Sequence, residues 1–476
     1  MQRRTKIIAT IGPASERESV LRQMIEAGMD VARISLSHGN LDEALGRYEA
    51  VRKLGAEAGR PIGCLVDLPG PKIRAASFGD EGVVFADDQL FRLVPGRVHS
   101  TSEVVEVAYD DLLRDVEIGD HLAFGDGAID FEVVDANREG LTAKVLHGGR
   151  VQGRPGVYIP SDRLRIPSPT PDDLRMLDAF VEAGVDMAAL SMVRSAHDVR
   201  RVGTEPHPAG PLIVAKIETK AAVQNLAGII DAAGAVMIAR GDLGNEMPIE
   251  ELPHLQKRII MECIAHGRPA ITATQMLESM IHAPAPTRAE ASDVANAVFD
   301  GSSVVMLSAE TAVGADPALA VRTMATLAAR ADQEFDYVGW GQRLADLRIT
   351  ESGDHDPDVT DVMTMAAWRA AAQINATAIL CITRTGFTVR AMARFRPDTR
   401  ILGFTPDERT INQLTLSWGA TPMPLARFGS NEEMVDEAVH RARNDGYVRS
   451  GEVVVVLAGS SERATATDVL RVVYVP

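Results

Sequence analysis

A chain of 476 residues, 46% of them apolar, is long enough for two or three domains with substantial cores, which excludes a disordered or fibrous protein. Its formal charge of −17 argues against nucleic-acid or anionic-membrane binding across the surface, leaves room for a local basic pocket, and makes small molecules the expected partners. The cysteines, Cys64, Cys263 and Cys381, lie far apart in or near apolar segments, and no run approaches a membrane span, so a cytoplasmic protein with neither disulfides nor a zinc site is expected.

In chain order, short apolar runs fall at Lys6–Ile11, Val31–Ile34, Ile62–Val66, Met187–Leu190, Leu212–Ala215, Ala235–Ala239, Ala270–Ala273 and Ser303–Leu307. Stretches of helical period separate most of them, such as Val20–Ala27, Leu41–Ala58, Asp172–Ala183, His254–Ala265 and Pro317–Ala331. Eight alternating units predict a (β/α)8 TIM barrel, built from residues 1–72 and 161–343, with its active site at the C-terminal ends of the strands. Residues 73–160 are too long for a crossover and carry β-like runs at Val83–Phe85, Leu90–Val94, His121–Phe124, Ile129–Val134 and Leu141–Leu146. They predict a small inserted β-barrel domain that closes as a lid; a decorative insertion is the alternative.

Leu344 to Thr360 is polar, lacks period and reads as a linker at the start of a C-terminal domain spanning 344–476. Helices near Asp361–Gln373 and Thr388–Phe395 then alternate with strands Ala378–Ile382 and Ile401–Phe404 and with the runs Val453–Leu457 and Leu470–Val475. That alternation predicts an open, doubly wound α/β domain.

Each barrel run delivers polar groups at its end: Arg33 with Ser35, Ser37 and His38; Asp67 with Lys72 and Arg74; Ser191 with Arg194; Lys216 with Glu218; Arg240 with Asp242; Thr274; and Ser308 with Glu310. For a single strand, salt-bridging rim residues explain the pattern equally well. Four arginines, two lysines and several carboxylates at one end suit a metal-assisted site for a highly anionic substrate.

The segments TKIIATIGPAS, AGMDVARISLSHG, GPKIR, AKIE, ARGDLG, ATQMLESMI and PTRAEASDVANAVFDG followed by MLSAETA make the chain resemble the pyruvate kinase family, in that family's order and spacing. The resemblance implies transfer of the phosphoryl group of phosphoenolpyruvate to a nucleoside diphosphate, with protonation of the enolate to pyruvate, in a homotetramer. It implies Mg2+ or Mn2+ on Glu218 and Asp242, Lys216 and Arg33 on the transferring phosphate, and the substrate carboxylate at Arg240, Gly241 and Asp242. Thr274 and Ser308 would lie on the proton path, and Ser35, His38 and Arg74 on the nucleotide side. Thr383, Thr385, Gly386 and Thr388 match the family's effector loop for sugar phosphates, with an ordinary helix cap as the alternative.

Several positions depart from the family pattern. Ser35 and Leu36 replace asparagine and phenylalanine, Asn245 an aliphatic residue, and Ala309 a glycine. Ser35, Ser37, Asp67 and Leu68 correspond to a monovalent-cation position, but Lys72 stands where glutamate accompanies a potassium requirement, so K+ is not expected to be required. Thr170, Pro171, Asp172 and Asp173 start a helix well, yet Asp172 would repel a diphosphate where the family has a lysine. Asp126 in the lid is a candidate for the nucleotide-bound metal, or simply a turn residue, and Glu462 in the loop 459–465 would oppose an anion. A paralogue with another phosphoryl acceptor and a non-catalytic regulatory homologue remain alternative readings.

Overall fold

Apolar runs of four to six residues that shed water from both faces associate as parallel strands, with helices on the outside and one another's side chains within. The computed structural model describes residues 3–37, 39–125, 129–161, 163–351, 359–426, 430–459 and 467–476. Its central element is a closed barrel of Lys6–Ile11, Val31–Ser35, Gly63–Leu68, Met187–Leu190, Leu212–Ile217, Ala235–Ala239, Ala270–Ala273 and Val304–Leu307, each strand paired in parallel with the next and the last with the first. Side chains alternate along each strand. Ile8, Leu65, Met237 and Met306 pack in the interior, while Ile7, Ala32 and Val66 belong to the larger core shared with the helices. This is the predicted barrel, with several strands a residue or two longer at the mouth.

The helices obey their local signals. Glu18–Ala27 stops at Gly28, whose φ of 115° suits a residue without a β-carbon. Pro171–Glu182 begins with a reciprocal Thr170 and Asp173 capping box and Pro171 in its first turn.

The insertion is a six-stranded sheet in the order Val157–Tyr158, His121–Phe124, Ile129–Asn137, Gly140–His147, Leu90–Pro95 and Val104–Val107, with Val83–Phe85 and Gly149–Val151 as a separate ribbon. Arg74 bridges to Gly156 and Ala75 to Val107, so two adjacent residues join both edges and curl the sheet into a small barrel. Phe78, Phe85, Phe91, Phe124 and Phe131 fill it, with neighbouring ring centroids 4.5–6.1 Å apart. Three further strands, Val104–Val107, Gly149–Val151 and Val157–Tyr158, are runs of two to four residues that the sequence reading did not single out.

The C-terminal sheet runs in the order Ala420–Pro424, Arg400–Thr405, Ala378–Ile382, Val453–Ala458 and Val469–Tyr474, parallel except for the last strand, which pairs antiparallel as an edge. The expected linker is partly helical. Tyr337–Glu351 is one helix, and a second, Val359–Gln373, follows; residues 352–358 lie outside the described residues. Trp340 and Leu344 are buried, and a β-carbon on Gly341 would lie 2.2 Å from the Trp368 ring, so tertiary packing anchors a helix that continues into the polar stretch beginning at Leu344. Among the described residues no helix is long and apolar enough to cross a membrane.

Candidate active site

Strand ends that emerge from the barrel place Arg33, Asp67, Ser191, Lys216 and Glu218 together at its mouth. Arg33 Nε donates to Asp67 Oδ2 at 2.7 Å, and its guanidinium also donates to Thr10 Oγ1 at 2.9 Å. Lys216 Nζ lies 3.3 Å from Asp67 Oδ1, 2.7 Å from Glu218 Oε1 and 2.7 Å from Ser191 Oγ. The other Glu218 oxygen accepts the Met192 amide at 2.7 Å. All of these contacts except the one within Lys216–Glu218 join residues from different strands, so the barrel's closure creates the cluster.

The electrostatics follow from one ammonium serving two acids. Burial opposes ionisation of Asp67, but Lys216 and Arg33 outweigh it and lower its pKa. Burial likewise opposes the charge of Lys216, yet Asp67, Glu218 and Asp242 hold its pKa above the ordinary lysine value. Glu218 is left undercompensated: burial, aided by Asp242, pushes it up to about 7 despite Lys216.

Thr274 sits at φ 66°, Gln275 at 54° and Met192 at 56°, a left-handed backbone that non-glycine residues seldom adopt and that here lines the barrel mouth. Gly241 N donates to Thr274 Oγ1 at 2.9 Å, which fastens the start of helix Arg240–Glu246 to the next strand's turn. The Arg240 guanidinium is engaged by Thr274 O at 2.7 Å, Asp293 at 2.8 Å and Ala273 O at 3.3 Å, partners from the next strand's turn and from helix Arg288–Asp300. Ser308 has a buried hydroxyl with no hydrogen-bond partner among the described residues, and its amide donates to Glu310 at 2.7 Å.

A divalent cation fits the donor set. Asp242 is exposed, Glu218 is buried and short of positive charge, and among the described residues no group of three or more His, Cys, Asp or Glu side chains is arranged to hold a metal ion by itself. Magnesium is commonly held by one or two carboxylates, with substrate oxygens and water completing its shell.

The remaining sequence-derived positions are less concentrated. Ser35 Oγ accepts the Ser37 amide at 3.5 Å, Leu68 ends its strand in the core, and both Asp67 oxygens are taken by Arg33 and Lys216. Lys72 is exposed, with its Cε 3.8 Å from the place a β-carbon on Gly156 would occupy, at the base of the lid. Arg74 donates to Arg154 O at 3.1 Å within the lid. Arg194 is drawn off to the carbonyls of Leu164 and Ile166 and to Asp198, where it secures the chain returning from the lid. Asp172 pairs with Arg175, while Asp173 also accepts the Gly70 amide at 3.1 Å. His38, Asp126 and Glu462 lie outside the described residues. In the C-terminal loop, Thr383 Oγ1 accepts Gly386 N at 3.0 Å, Thr385 Oγ1 accepts Phe387 N at 3.4 Å, and Thr388 meets Thr467 at 2.7 Å.

Thr10 and Glu246 escaped the sequence reading. Thr10 lies within an apolar strand, so only Arg33 across the pair marks it. Glu246 accepts from Tyr158 Oη, Ser161 N, Ser161 Oγ and Lys220 N at 2.8–3.0 Å and thereby joins the chain returning from the insertion, helix Arg240–Glu246 and the loop after Glu218. Its position one helical turn after Asp242 was the available signal.

A lysine shared by two buried carboxylates, with an arginine alongside, at the C-terminal mouth of a parallel barrel carrying a lid defines a barrel phosphotransferase. A family model of the pyruvate kinase barrel domain matches residues 2–321, and one of the pyruvate kinase alpha/beta domain matches residues 361–473. Pyruvate kinase of Clostridium acetobutylicum is 36% identical over 468 residues, covering 98% of both chains, and that of Geobacillus stearothermophilus is 37% identical over 480 residues, covering 100% of this chain and 81% of the relative. The crystal structure of a pyruvate kinase from Cryptosporidium parvum superimposes with a TM-score of 0.89 at 30% identity, covering 100% of this chain and 97% of that one. The chain belongs to the pyruvate kinase family.

Proposed function

We propose that this chain transfers the phosphoryl group of phosphoenolpyruvate to ADP or another nucleoside diphosphate, giving pyruvate and the triphosphate in glycolysis. The observation that carries this reading is Lys216, buried between Asp67 and Glu218 with Arg33 on the other Asp67 oxygen. Phosphoryl transfer requires positioning and charge stabilisation more than covalent help, and this pair of cations supplies both. Lys216 stabilises charge on the transferring group, and Arg33 holds the same phosphate.

The turn at Arg240, Gly241 and Asp242 receives the substrate carboxylate through backbone amides, Gly241 N exchanging Thr274 Oγ1 for it, with the Arg240 side chain acting as a brace. Thr274 and Ser308 carry the proton toward the enolate carbon; the unpartnered Ser308 hydroxyl supports that assignment. Mg2+, or Mn2+, is held by Glu218 and Asp242, and when bound it neutralises negative charge on the phosphoryl oxygens. Ser35, His38 and Arg74 serve the nucleotide.

Exposed Lys72 supports activity without K+, its ammonium substituting for a bound monovalent cation. The pairing of Asp172 with Arg175 offsets part of its repulsion toward a diphosphate. Buried free thiols at Cys64, Cys263 and Cys381 agree with a cytoplasmic setting, and the family relationship supports a homotetramer, which light scattering checks.

Phosphorus NMR of phosphoenolpyruvate with magnesium and ADP, GDP, UDP or no acceptor, each with and without potassium, tests the reading. Rapid formation of a triphosphate is expected. Binding of phosphoenolpyruvate without transfer to any diphosphate would establish a different acceptor, and absence of both binding and transfer would leave a regulatory homologue.

A further inference from the structure

The seam between barrel and C-terminal domain concentrates positive charge that phosphoryl transfer does not use. Arg268, from the barrel, and Arg390, Arg394 and Arg396, around the helix Phe387–Ala393, line one small cavity with Ser417 and Trp418. The space open to the centre of a water-sized molecule is ≈ 20 Å³. That admits a single water or monatomic ion and is too small for a sugar phosphate or nucleotide.

Most of these cations are accounted for. Arg394 pairs with Asp361. Arg396 donates to Ser302 O at 2.7 Å and to Val298 O at 3.4 Å, and it lies 4.8–5.3 Å from the ring centroids of Phe335, Trp340 and Trp418. Arg268 donates to the carbonyls of Ile230 and Asp231. Arg390 differs. It is 3% exposed, and one terminal nitrogen serves Thr385 O and lies 3.0 Å from His207 Nε2. Its Nε and other terminal nitrogen have no hydrogen-bond partner among the described residues, and neither do the Ser417 hydroxyl nor the Trp418 indole nitrogen.

Several buried donors thus border one cavity, and no Asp or Glu is among its described lining residues. Asp332 and Asp231 act on Arg396 and Arg268, whereas the charge felt by Arg390 is the repulsive one of Arg268. Burial, reinforced by Arg268, lowers the Arg390 pKa to about 9. A buried cation with free donors calls for a counter-charge, and the lone pairs of a water satisfy donors without supplying one.

We propose that this cavity at the seam binds one halide-sized inorganic anion, held by Arg390, Ser417 and Trp418 of the C-terminal domain. Arg390 also contacts both sides of the seam. Thr385 belongs to the loop opening its own helix, and His207 lies in the turn that leads into strand Leu212–Ile217, which carries Lys216.

The test uses the full-length protein in sodium salts of constant ionic strength, with gluconate replaced stepwise by chloride or bromide. A rise in melting temperature that grows with the logarithm of halide concentration and reaches about 2–4 °C is expected with either halide, as is an anomalous bromide peak in the cavity of crystals soaked in sodium bromide. Arg390→Met is expected to abolish both. Should that variant fail to fold, Trp418→Phe and Ser417→Ala, each removing a single donor, are expected to weaken halide binding. Equal melting temperatures in halide and gluconate with no bromide peak, a halide response that survives Arg390→Met, or inorganic phosphate matching chloride would each overturn the proposal.

Discussion

Lys216 Nζ stands 2.7 Å from Glu218 Oε1 and 3.3 Å from Asp67 Oδ1, a single ammonium between two carboxylates that are themselves almost wholly buried. Such a cation is already paid for by its surroundings and needs no reorganisation when more negative charge arrives. Lys216→Ala is expected to lower turnover by at least ~10²–10³-fold, the scale for removing one transition-state charge donor. Steady-state rates alongside circular dichroism check this; near-wild-type turnover would exclude Lys216 from the chemistry.

If Glu218 holds the proposed divalent cation, binding of that cation is pH-dependent. Its folded pKa of about 7 exceeds the ordinary 4.5, so between those values the folded state holds the extra proton. In the metal-free protein this contributes stability that is fully present below the unfolded value and is lost as pH rises through about 7. Magnesium must displace that proton, so its affinity should fall by up to about tenfold per pH unit below the folded pKa. Calorimetry in buffers of different ionisation heat should find proton release on binding at mildly acidic pH and little at alkaline pH. Release that does not vary with pH would contradict the assignment.

Lys72 offers a charge reversal that leaves the core alone, because its side chain is exposed. The wild-type rate is expected to be the same in potassium and tetramethylammonium chloride at equal ionic strength. Lys72→Glu should lose activity and regain it several-fold with potassium; a potassium-activated wild type would refute the substitution of ammonium for cation.

Glu246 gathers four donors from the lid return and the loop after Glu218. Glu246→Ala removes the shared acceptor of these part-buried and exposed groups, at a cost on the order of 1 kcal/mol. Displacement of the adjacent Asp242 should reduce kcat/KM by about 10- to 100-fold, with faster amide exchange at residues 156–161, while Glu246→Gln restores part of both. Unchanged exchange in the alanine variant would show that Glu246 does not hold the lid return.

The chain by itself determined the strands, the helices with good caps and the chemistry at the strand ends. Two-sided burial demands unbroken apolar runs, and their abrupt endings at Asp67, Lys216, Glu218 and Arg240 mark where the backbone leaves the core. Three of the short lid strands were not singled out from the sequence, and helix Tyr337–Glu351 was hidden because it runs into the polar stretch that begins at Leu344.

Tertiary structure alone decided which charged side chains meet. Lys216 and Asp67 are 149 residues apart, and Arg33 and Thr10 face each other only because their strands pair. Arg194 and Arg240 arise at strand ends much as Arg33 does, yet carbonyls and carboxylates from other elements draw their guanidinium groups away. Hydrophobic periodicity specifies where a strand ends, but a long charged side chain turns toward whatever partners the assembled fold brings within reach, and those partners come from distant parts of the chain.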